Sequence, residues 1–142
     1  MKKLLLSFSI AGSLFLVSCV GSNVNYNDKV VNLYSRYSTE MEKAIGETNT
    51  ATDPVAKKAA IDRLEKLTDS CSTAMNEMKP TDEGKEFHQS VTALYGSVKA
   101  DFIPVYKKLL AIEKPDDNVD EYNKLIEEVN AVSDKITKLE DK

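Results

Sequence analysis

The chain has 142 residues, 19 basic against 23 acidic, for a net charge of −4, with five glycines, four prolines and no tryptophan. That length holds one hydrophobic core rather than two, and a mildly acidic balance lacks the basic stripe that phosphate backbones require, which argues against nucleic acid as a partner. Few glycines and prolines with abundant Lys, Glu, Asp, Ala and Leu point to an all-α chain rather than a sandwich or barrel.

Met1-Lys2-Lys3 is a short basic head, and Leu4 to Val17 is an apolar run broken only by Ser7, Ser9, Gly12 and Ser13. A run of about 14 residues falls short of the roughly 18 that a membrane-spanning helix wants. The pattern is that of a cleaved secretory signal. The run ends in Leu16-Val17-Ser18-Cys19, which resembles the lipobox of bacterial lipoproteins. The resemblance implies that the Cys19 sulfur receives a diacylglycerol and that the chain is cut after Ser18. The new amine then takes a further acyl chain such as palmitate. An ordinary signal peptide, or an uncleaved anchor with an incidental cysteine, is the alternative.

Each buried acyl methylene contributes about 0.8 kcal/mol, so two or three chains anchor a domain where one would not. The family's sorting pattern implies delivery to the outer membrane, because Val20 rather than Asp follows the cysteine. Val20-Gly21-Ser22-Asn23 lacks the acidic cluster associated with export to the cell surface, so the periplasmic face is expected. The remainder is similar, through the lipobox and general helical character alone, to uncharacterised small helical lipoproteins of Gram-negative and spirochaete bacteria. The expected division is a signal at 1–18, a lipidated tether at 19–25 and a bundle domain at 26–142.

In the domain, Tyr26, Val30, Leu33, Tyr37, Met41 and Ala44 recur at steps of three and four, one face of a helix that Val31, Tyr34 and Ile45 widen. It ends between Gly46 and Thr50. Asp53-Pro54 starts the second helix, since Asp caps free N–H groups and proline at the first position forfeits no bond. Ala60, Leu64, Leu67, Cys71, Ala74 and Met78 follow at heptad, coiled-coil-like spacing, and an i,i+4 pair is expected between Asp62 and Lys66.

Lys79-Pro80 stops that helix, and Thr81 is the expected cap of a third, with Asp82 and Glu83 in its first turn. The stripe Phe87, Val91, Leu94, Val98, Phe102, Val105, Leu109 and Ile112 crosses Pro104 in register. That predicts one long helix, about 32 residues and roughly 48 Å, kinked at the proline. Asn118 with Glu121 has the spacing of a capping box for a fourth helix, which carries Tyr122, Leu125, Val129, Val132, Ile136 and Leu139. The expectation is an up-down antiparallel four-helix bundle.

Chemistry-bearing residues are sparse. His88 is the one histidine. It is either a boundary residue or, with Met41 or Met75, an axial ligand to a haem in the bundle interior. A di-iron centre needs two histidines, covalent haem needs Cys-x-x-Cys-His, and a triad needs a strained elbow; none of these patterns is present, so no catalysis and no resident cofactor or metal is expected. Asp116-Asp117 and Glu127-Glu128 suit solvated faces. Cys71, with Cys19 committed to lipid, suits a small core residue.

Ala93, Gly96, Ser97 and Ala100 form a small-residue run before Pro104, flanked by Tyr95 and Tyr106. Glycine inside a helix costs about 1 kcal/mol relative to alanine, so either a neighbouring helix approaches closely here or the run lines a pocket or groove. The functional expectation is a lipid-anchored envelope protein whose bundle binds a protein partner or plays a structural role. The alternative is a small apolar ligand or haem held near His88, Gly96 and Pro104.

Overall fold

The computed structural model describes residues 24–112 and 114–140, with side chains from 26 to 139 apart from 113. The signal and tether residues, Leu16 to Cys19 among them, lie outside the described residues.

The chain is an all-helical four-helix bundle. Helix α1 spans Val24–Thr50 and α2 spans Pro54–Glu77. The third helix of the bundle has three parts: α3 (Lys85–Ser97), a π-helical segment (Val98–Phe102) and α4 (Ile103–Leu110). A 3-10 turn at Pro115–Asp117 leads into α5 (Val119–Glu140).

Cross-links between elements give their directions. Tyr37 meets Thr68 and Glu47 meets Arg63, so α1 and α2 run antiparallel. Asp69 pairs with Lys99 at 2.5 Å and Glu65 with Lys107 at 2.6 Å, so the third helix is antiparallel to α2. It is accordingly parallel to α1, as the pairs Tyr26–His88, Tyr37–Tyr95 and Thr48–Tyr106 show. Helix α5 packs on α3 and α4.

The core is apolar and continuous: Val30, Met41, Ile61, Leu64, Met75, Val98, Phe102, Ile126, Val129 and Ile136 are all buried. Each large aliphatic or aromatic side chain taken out of water contributes about 1.5–3 kcal/mol. Four positions differ from the periodic reading, each for a local reason.

First, Thr81 does not cap α3. Its Oγ1 accepts the Gly84 N–H at 3.1 Å within a turn, and the helix begins only at Lys85. The three extra residues go into a tight corner where the Tyr26 ring lies over Gly84; a Cβ there would come 2.9 Å from Tyr26 Cε1. Second, Asn118 forms no capping box. Its Nδ2 donates to the Lys114 carbonyl at 3.1 Å, closing the 3-10 turn behind it. Third, Asp62 does not take Lys66, because it is engaged by Lys58 on its own helix and by Lys107 across the bundle at 3.4 Å. The Lys58 hydrogen bond, with Lys107 adding to it, holds the Asp62 carboxyl below its ordinary range.

Fourth, the stripe shifts towards Ile103 and Tyr106 at Pro104, while Leu109 stays buried and Val105 and Ile112 pack at its edge. The Ile103 N–H donates to the Val98 carbonyl, five residues back, in the turn before a proline that has no N–H of its own and whose ring crowds the carbonyl four residues earlier. The wider turn accommodates one more residue and rotates the helix beyond it. Ile103 and Tyr106 become fully buried while Val105 is left half-buried. Phe87, expected in the core, is 38 % exposed.

Candidate functional site

The small-residue run separates into two faces. Ala93, Gly96, Ala100 and Pro104 lie on an exposed strip, whereas Tyr95, Ser97 and Tyr106 are buried. A Cβ on Gly96 would meet nothing within 4 Å, so no helix approaches there. The run and its flanking tyrosines therefore do not converge on one cavity, and the tyrosines belong to the core.

Each tyrosine hydroxyl in that core has a different environment. Tyr37 is bonded to Thr68 Oγ1 at 3.0 Å, and Thr68 in turn donates to the Leu64 carbonyl at 2.8 Å. Tyr106 meets Thr48 Oγ1 at 2.8 Å and donates to Asn49 Oδ1 at 3.3 Å. Tyr95 is edge-on to Tyr37 with ring centroids 4.6 Å apart, and its buried hydroxyl has no hydrogen-bond partner of good geometry. It faces the Cys71 thiol, a weak partner at best. Burial pushes both the Tyr95 phenol and the Cys71 thiol upward, so the thiol stays protonated and behaves as a small apolar residue.

His88 is half-buried at the bundle end where α1 begins. Its Nδ1 is 2.7 Å from the Tyr26 hydroxyl, and the two rings stack at 6.2 Å. The imidazole thus ties the start of α1 to the start of α3, a boundary role. Among the described residues no group of three or more His, Cys, Asp or Glu side chains is placed to hold a metal, and no helix is long and apolar enough to cross a membrane.

A concavity lies on the seam between α1 and α2. A shallow groove of about 410 Å³ is floored by Ala44, Leu64 and Leu67 and rimmed by Arg36, Lys43, Arg63 and Lys66, with Glu40 and Ser70 beside them. A second depression of about 350 Å³ continues the seam past Arg63 and is lined by Ala51, Ala56 and Ala59. Arg63 is engaged by Glu47. Among the described residues, Arg36, Lys43 and Lys66 have no carboxylate within ion-pair distance. Lys66 is in that state because Asp62 is taken by Lys58 and Lys107.

Sequence periodicity missed this groove, since its rim consists of polar-face residues on two helices whose register is set only by packing. The cationic i,i+7 spacing of Arg36 and Lys43 was the available signal.

The class defined by these features is a small helical bundle with a tightly packed aromatic core and a cationic seam on its surface. No protein-family model matches the chain, and no curated protein or solved structure is significantly similar to it.

Proposed function

We propose that this chain is a lipid-anchored protein of the bacterial cell envelope, acylated at Cys19, whose four-helix bundle is a non-catalytic module for binding a protein partner. The observation that carries the reading is the succession within the chain: a basic head, an apolar run, Leu16-Val17-Ser18-Cys19, and then helix α1 from Val24. Four residues separate Cys19 from that helix, a span of no more than about 18 Å even when extended. The bundle is held close to the bilayer, at the periplasmic face of the outer membrane. No catalytic or cofactor role is assigned, in keeping with a core closed by aliphatic and aromatic side chains and a lone histidine occupied by Tyr26. The bend expected at Pro104 belongs to the same reading, with the π-helical turn before the proline taking up the change in direction.

The test is fractionation with mass spectrometry of the first mature residue. Wild-type protein should partition into detergent and carry diacylglycerol on the Cys19 sulfur, and Cys19→Ala should be recovered in the soluble fraction. A Cys19→Ala protein that remains membrane-bound would refute the anchor.

A further inference from the structure

We infer that the α1–α2 groove is the docking surface of this module and that its occupant is an acidic amphipathic helix of a partner protein. The inference rests on the reading of the bundle as an interaction module and gives that module a place and a chemistry.

Charge supplies the first argument. The chain is acidic, at −4, yet the 410 Å³ groove is bordered by four cationic side chains and one carboxylate. Three of those cations, Arg36, Lys43 and Lys66, have no ion-pair partner among the described residues. By contrast, Lys58, Lys99 and Lys107 are neutralised by Asp62, Asp69 and Glu65. A surface that concentrates unpaired positive charge attracts anionic partners and opposes symmetric pairing of that same face in two copies.

Shape supplies the second. The floor is apolar and narrow, with half-buried Leu67 beside the buried Ala44 and Leu64, and the seam continues, past Glu47 and Thr50, over Ala51, Ala56 and Ala59, whose small side chains leave room for a backbone to approach. From Arg36 to Ala51 the seam follows about four turns of α1, on the order of 22 Å. A third helix laid along it would place its apolar stripe between α1 and α2 and its flanking carboxylates against the two cationic rims, the helix-in-groove mode of recognition.

A free carboxylate or phosphate would use the cations but leave Leu67 and the three alanines of the seam in water. An extended strand would find no sheet edge to join. The acidic helix is the occupant that uses both parts of the groove.

The probe is a fluorescein-labelled helical peptide of about 18 residues with leucine at i, i+3, i+4 and i+7 spacing and glutamates flanking the stripe, titrated with the mature protein and read by anisotropy. It should bind, and the same peptide with lysines in place of the glutamates should not. Lys43→Glu combined with Lys66→Glu should weaken binding at least tenfold, with unchanged circular dichroism. Lys43→Ala with Lys66→Ala, which cannot create new repulsion, should weaken it several-fold.

Absence of binding, equal binding of both peptides, or indifference to the substitutions overturns the inference. So does charge-dependent capture of phosphatidylglycerol vesicles without capture of the peptide, which would assign the groove to lipid headgroups.

In cells, a photo-crosslinking residue at position 43 should give an adduct mapped to an acidic segment of a partner, and one at position 124 on α5 should not. Adducts from position 124 but not from 43 would overturn the groove assignment and leave the interaction module standing. If neither position, nor others scanned over the bundle surface, gave an adduct, both would fall.

Discussion

The three buried tyrosines show how far a side chain's surroundings depend on one neighbour. Tyr37 has Thr68, Tyr106 has Thr48 and Asn49, and Tyr95 has only the Cys71 thiol facing it. A buried hydroxyl with a good partner contributes about 1 kcal/mol, and one without a partner carries its desolvation cost uncompensated. Tyr37→Phe is therefore expected to destabilise the bundle by about 1 kcal/mol, and Tyr95→Phe to be neutral or stabilising. Urea unfolding followed by circular dichroism orders the two, and a larger loss at Tyr95 would contradict the assignment. Heptad spacing was enough to identify Cys71 as a core residue. The hydroxyl partners were not legible, because Thr48 and Thr68 are polar residues that periodicity assigns to no face in particular.

Helix starts and interruptions separate what local sequence dictates from what packing overrides. The Asp53 carboxylate accepts the Val55 N–H at 3.0 Å ahead of Pro54, as the sequence signal requires. Thr81 and Asn118 carry equally good signals, yet each is recruited into the preceding turn instead. The two glycines of the third helix region give a matched test. Gly96→Ala, in open space inside α3, should stabilise the protein by up to about 1 kcal/mol, or roughly 4 °C in Tm for a domain of this size. Gly84→Ala should lower Tm, because its Cβ would land on the Tyr26 ring and the Thr81 hydroxyl. Thermal melts of both variants read the contrast, and a Gly84→Ala protein as stable as Gly96→Ala would remove the case for the Tyr26–Gly84 corner.

For the molecule as a whole, the aromatic core predicts the limit of stability at high pH. Burial raises the phenols of Tyr37, Tyr95 and Tyr106 above their ordinary value of 10.0 and the Cys71 thiol above 9.0. Well below pH 9 these groups are protonated in both folded and unfolded chains, and their full contribution to stability is present. As pH rises past those ordinary values the unfolded chain releases protons that the folded chain retains, so stability falls with pH. Of the six tyrosines, Tyr37, Tyr95 and Tyr106 should ionise only as the helical circular dichroism is lost. Absorbance at alkaline pH recorded beside ellipticity checks this. Smooth ionisation of all six with the helices intact would show that the core is more open than the structure describes.

The sequence by itself determined the all-helical class, the approximate helix limits and most of the core, because apolar residues three and four apart can be buried together only on one face of a helix. It also sets the expectation of a lipid at Cys19, since that motif is read by processing enzymes as a linear string. Tertiary structure decided the rest. The π-helical turn before Pro104, the burial of Tyr106 in place of Val105, and the exposure of Phe87 depend on how the helices meet. So does the cationic groove, whose rim is assembled only where α1 packs on α2, with Asp62 held by Lys58 on its own helix and by Lys107 across the bundle rather than by Lys66. Periodicity records which side of a helix avoids water, but a site shared between helices depends on their mutual register, which no single segment encodes.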